Sequence, residues 1–80
     1  MKTHKIKIKE GYFDEILQGN KTCEIRFNDR DYQVDDTVVL CEVDNLNLPT
    51  LREQKIRITH VLSGWGLKEN YVALSFKKNP

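Results

Sequence analysis

Between Gly19 and Phe27 the chain gathers Lys21, Thr22, Glu24 and Arg26, its densest set of side chains able to do chemistry. Lysine and arginine can hold phosphate, the arginine through a planar fork that engages two oxygens. The Glu24 carboxylate can accept hydrogen bonds from the exocyclic amine of cytosine, adenine or guanine. A neighbouring aromatic, Trp65 or Tyr32, could stack an exposed base, worth about 1–3 kcal/mol. That kit suits one splayed nucleotide rather than a duplex. The same groups could equally close on one another as an internal salt-bridge network, and their chemistry alone does not choose between the two.

Other chemistries find little support. The sequence contains no nucleophile elbow, Walker loop, HExxH helix or dinucleotide fingerprint. Gly64-Trp65-Gly66 reads as a plain turn. Cys23 and Cys41 are too far apart for a CxxC motif and fall within apolar strand patterns, which predicts small buried thiols. His4 and His60 each lie on the apolar side of a strand and read as hydrogen-bonded core residues. Together with the cysteines they match no zinc spacing, so neither a metal nor a cofactor is expected.

The elements that must position these groups follow from periodicity. His4, Ile6 and Ile8 alternate with Lys5, Lys7 and Lys9, giving a first strand with one wet face. Those lysines fit a protected edge strand as well as a phosphate-facing stripe. Tyr12, Phe13, Ile16 and Leu17 recur at helical spacing and predict a short helix from Tyr12 to Gln18, stopped by Gly19. Tyr12 and Phe13 are expected in the core. A second strand, Thr22 to Phe27, sets Cys23, Ile25 and Phe27 as an apolar anchor against a polar side of Thr22, Glu24 and Arg26. Further strands are predicted at Thr37 to Val43, Gln54 to Leu62 and Tyr71 to Phe76. Leucines of the Asp44–Leu51 loop are placed to lid the core, and residues 77–80 to fray.

Five short strands and one helix in 80 residues predict a single α+β, mostly β domain. Its expected form is a small five-stranded barrel, antiparallel or mixed, with the helix capping an opening. A chain with 39% hydrophobic and 31% charged residues is too apolar for disorder. Its net charge of +1 argues against coating nucleic acid by bulk electrostatics but leaves local recognition open. No run approaches the ~18 apolar residues of a membrane span, and no signal-peptide core is present at the N-terminus. A cytoplasmic monomer away from the membrane is the expectation.

The pattern Gly19-x-Lys21-x-x-Glu24-x-Arg26, placed after the helix carrying Ile16 and Leu17, resembles the signature of ASCH domains in the PUA-like superfamily. Asn28-Asp29-Arg30-Asp31-Tyr32-x-Val34-x-Asp36 continues the likeness to a small stand-alone bacterial and phage branch. Gly66-Leu67-Lys68 and Tyr71-Val72-Ala73-Leu74-Ser75 match its closing segment. The resemblance implies a PUA-like barrel that binds RNA or a nucleotide-like ligand in a cleft between helix and barrel. It would place Lys21, Glu24 and Arg26 in that cleft, with Asn28, Asp29 and Arg30 at the rim. One branch of the family cleaves the acetyl amide of acetylcytidine, but it has its threonine nucleophile where this chain has Glu24. An amidohydrolase using Lys21 and Thr22 is therefore the alternative, and a protein-interaction domain using Leu46, Leu48 and Leu51 a third. Asp35 stands where relatives tend to have glycine, which predicts a left-handed turn that aspartate can tolerate.

Overall fold

The computed structural model of the protein describes residues 1–79. Strand β1 (Thr3–Lys9) buries His4, Ile6 and Ile8 and turns its lysines outward, as its alternation requires. Helix α1 (Glu10–Leu17) follows without a break, and Gly11 lies inside its first turn rather than ending the strand. Phe13 and Ile16 are buried, and Leu17 packs beside them. Tyr12 is not in the core: it stands on the flank of that stripe, 58% exposed. The helix stops at a Schellman motif, in which Asn20 N–H donates to Glu15 O (2.9 Å) and Gly19 N–H to Ile16 O (3.1 Å). Gly19 sits at φ +81°, a conformation that costs a Cβ-bearing residue.

The remaining strands are β2 (Cys23–Phe27), β3 (Thr37–Val43), β4 (Pro49–Ser63) and β5 (Tyr71–Lys78). They form one sheet in the order β1-β3-β4-β5-β2, with β1 and β3 parallel and the other pairs antiparallel. The sheet curls into a half-barrel around Leu40, Ile58 and Leu74. Helix α1 carries the chain from one edge strand, β1, to the other, β2, and packs against β1 and β3. Arg52 of β4 clasps it there. The guanidinium bonds Asp14 of the helix (2.9 Å) and buried Glu42 of β3 (2.7 Å), and lies over the Phe13 ring. The Arg52 and Thr50 hydrogen bonds hold the Glu42 carboxyl below the usual carboxylate range.

Several expectations from periodicity are corrected. Strand β4 begins at Pro49, so Leu46 and Leu48 sit in or beside the tight β3–β4 turn and Leu51 on the strand itself; all three face solvent instead of covering the core. A bulge between Ile58 and His60 shifts the register against β5. Beyond it, Val61 packs inward while His60 and Leu62 turn out, so His60 is not a core histidine. Cys23 is exposed and Cys41 half-buried, so neither is the buried thiol expected. Lys77 and Lys78 belong to β5 and do not fray, while Pro80 lies outside the described residues. Among those residues, no helix is long and apolar enough to cross a membrane and no cluster of ligating side chains could hold a metal. Asp35 does adopt the left-handed turn, at φ +74°.

One buried cluster ties the N-terminus to the barrel. Asp36 accepts Lys2 N–H (2.9 Å) and Gln33 N–H (3.0 Å), and His4 Nε2 lies 2.8 Å from its carboxylate. Burial pushes the Asp36 carboxyl up, and these hydrogen bonds outweigh it, so the group ends below its ordinary value. A depressed carboxyl stabilises the fold fully above the unfolded pKa of about 3.9 and loses that contribution as pH falls through the lower folded value. Asp36→Ala removes the acceptor of two part-buried backbone N–H groups and the partner of buried His4, and is expected to cost about 2–4 kcal/mol at pH 7. Urea titrations from pH 7 down to pH 2 should show the wild type and variant converging at the acid end.

Candidate functional site

Pairing with β5 decides which way the polar residues of β2 point. Glu24 lies opposite Leu74, and Arg26 opposite Val72, both of them core residues. Directly opposed residues share a face, so Glu24 and Arg26 turn into the half-barrel. The supposed anchor is reversed. Ile25 is 58% exposed and Phe27 50% exposed, both on the outer side.

Inside, the charged trio comes together. Glu24 Oε2 accepts from Arg26 Nε (2.9 Å) and lies 2.8 Å from Nη2, while Oε1 lies 3.1 Å from Lys21 Nζ. Lys21 Nζ also donates to Cys23 O (2.6 Å) and sits over the ring of Tyr12, 5.4 Å from its centroid. Both carboxylate oxygens are thus occupied, and Glu24 acts as the holder of two cations rather than a free acceptor. Arg26 Nη2 reaches across the sheet opening to donate to Lys7 O on β1 (2.6 Å). Among the described residues no ladder joins β1 to β2, so this side chain spans the seam.

A hollow lies on each side of that bridge. One, of ≈ 360 Å³, is bounded by Lys5, Lys7, Arg26, Asp29, Arg30 and Tyr32. The other, of ≈ 250 Å³, lies between helix and barrel and is bounded by Lys7, Lys9, Tyr12, Glu24 and Arg26. The charges around the two are Lys5, Lys7, Lys9, Arg26 and Arg30 against Glu24 and Asp29, a local positive excess in a nearly neutral chain. Such a surface favours an anionic ligand.

The other anticipated residues divide. Asn28 supports the loop and borders neither hollow: its side-chain oxygen accepts Tyr32 N–H (3.1 Å). Asp29 and Arg30 do stand at the rim, 4.0 Å apart. Tyr32 lines the larger hollow but is only 3% exposed, and its ring packs edge-on against His4. It has no free face for a base. Burial pushes its phenol up, opposed by the Arg30 and Arg26 charges. Trp65 is 90% exposed on the β4–β5 turn and bounds neither hollow. Thr22 is exposed, and among the described residues no hydrogen bond joins its hydroxyl to Lys21. The aromatic that does border the trio is Tyr12. Phe13, Ile16 and Leu17 already make a complete stripe for so short a helix, which leaves Tyr12 on its flank.

A family model described as a domain of unknown function (DUF3850) matches residues 3–76. The chain belongs to this family. A protein of Escherichia phage P2, named an uncharacterized 12.9 kDa protein in the GpA 3' region, is 41% identical over 75 residues. The match covers 91% of this chain and 66% of that protein, so the chain spans about two thirds of its phage relative. All the residues named around the two hollows of this DUF3850 domain, from Lys5 to Tyr32, fall inside the matched segment.

The Glu24–Arg26 pair is half-buried and carries the seam bridge, so its coupling is measurable. A double-mutant cycle of Glu24→Gln and Arg26→Ala, read by urea unfolding, should give a coupling of about 1 kcal/mol. Partial solvent screening keeps it from being larger. A coupling near zero would mean that the carboxylate does not hold the guanidinium.

Proposed function

We propose that the seam between β1 and β2 is a binding cleft for RNA or a nucleotide-like ligand, entered by one unstacked nucleotide. The observation that carries this reading is the occupied carboxylate of Glu24. It holds Arg26 between two hollows whose surroundings are mainly cationic, and Lys21 beside Tyr12 behind the smaller one. Arg26 Nη1 makes none of the guanidinium's hydrogen bonds to Glu24 or Lys7, and Lys21 keeps donor capacity beyond its two contacts. Both can take phosphate oxygens or a base carbonyl. Tyr12 offers an aromatic face beside them for stacking. Lys5, Lys7 and Lys9 point outward along β1 as a track for the flanking backbone. The likeness of Gly19-x-Lys21-x-x-Glu24-x-Arg26 to the ASCH signature supports the same reading.

Such a ligand is held by charge and stacking, so its affinity falls with salt. Each phosphate neutralised contributes a slope of about −0.7 in log affinity against log salt for a single strand. Fluorescence anisotropy with short single-stranded RNAs should show Arg26→Ala weakening binding at least tenfold (about 1.4 kcal/mol) while circular dichroism stays native. Arg26→Lys should recover the salt slope but not the affinity, because the fork is lost. Equal affinity for Arg26→Ala and wild type would remove the assignment.

A further inference from the structure

The outer side of β2, β5 and β4 carries an uncharged face. Its middle row is Ile25, Ala73 and Leu62, one residue from each of β2, β5 and β4. Phe27 and Tyr71 close one end, their rings packed edge to face at 5.6 Å. Cys23, Ser75 and His60 close the other. Elsewhere the outer surface is densely charged, with Lys5, Lys7, Lys9, Glu53, Lys55 and Arg57 on β1 and β4. In a chain with 31% charged residues, a three-strand face without one, bearing exposed Ile25 and Phe27, is a surface that excludes water when covered.

We infer that this face is covered by the same face of a second copy of the chain. Two features of the surface select that occupant. A face without charge can meet its own image with no like charges opposed, whereas a charged partner would find nothing on it to pair with. The face is also matched to itself end to end. Place a twofold axis between two such sheets, along the Ile25–Ala73–Leu62 row, with strands antiparallel. The Tyr71 hydroxyl of one copy then falls over the Ser75 and His60 end of the other, a donor over acceptors. Apolar Ile25 and Leu62 meet their own counterparts at the centre, and small Ala73 leaves room between them. This is isologous, aligned sheet-on-sheet packing.

The size sets the strength. Three strands about 4.8 Å apart and five residues of about 3.4 Å rise outline a face of about 15 by 17 Å. With side-chain relief that exposes about 500 Å² per copy, the low end of specific interfaces. The dimer is therefore weak, with a Kd of micromolar order. The cleft lies at the β1–β2 seam and shares only β2 with this face, on its inner side, so pairing leaves it open.

Sedimentation equilibrium of the full chain from about 10 μM to about 1 mM tests this. A concentration-dependent dimer is expected, and Ile25→Glu should raise its Kd at least about tenfold by burying two unpaired carboxylates. Leu48→Glu, on the separate exposed turn, should leave it unchanged. Native circular dichroism of Ile25→Glu, in which the new side chain replaces one already exposed, separates lost pairing from lost folding. A monomer throughout the range overturns the inference and leaves the face to a different chain. A dimer indifferent to Ile25→Glu, or abolished by Leu48→Glu, overturns it equally.

Discussion

Strand β2 is placed by its neighbour. Val72, Leu74 and Phe76 of β5 must be buried, and the register sets Glu24 and Arg26 beside the first two. A shift of one residue would bring Ile25 inside but would misalign the ladder that carries three core side chains. The apolar gain at one position does not compensate for that loss. Two charged side chains therefore enter the half-barrel, where they neutralise each other and bridge the open seam. The cleft and the uncharged outer face are the two sides of this one constraint.

Arginine is the connecting residue at both joints of the molecule. Arg26 links the edge strands through a backbone carbonyl, and Arg52 links helix, β3 and β4 through two carboxylates. Each guanidinium uses several donors in a fixed plane, which a lysine ammonium cannot reproduce. A small domain with a limited core gains orientation from such forks where it lacks apolar area. One carbonyl on each edge of the opening is taken by a side chain, Lys7 O by Arg26 and Cys23 O by Lys21.

Much of this was readable from residue order. The strand alternation of β1 and β5 and the glycine stop of α1 follow from local chemistry that tertiary structure does not override, while the left-handed turn at Asp35 came from the resemblance, whose members tend to have glycine there. The convergence of Lys21, Glu24 and Arg26 was legible too, since side chains so close along one segment have few ways to separate. The inversion of β2 was not, because its own alternation is as good one way as the other and only β5 breaks the tie. The bulge at β4 moved His60 and Leu62 outward through a single extra residue that no periodicity marks. Tyr32 and Tyr12 exchanged roles for a related reason: an aromatic's exposure depends on what packs over it, not on its neighbours in the chain.

The strand order has a consequence for biosynthesis. β1 finds its partner only in β3, and β2 finds its partner only in β5, the last of the sheet's five strands in chain order. A ribosome delivering this chain from its N-terminus therefore releases β2 long before anything can pair with it. For that interval Ile25 and Phe27 share an unpaired strand with Glu24 and Arg26, charges of the kind that disfavour edge-to-edge association. The same two charges that later close on each other at the seam are thus the ones that interrupt an apolar strand before its partner exists.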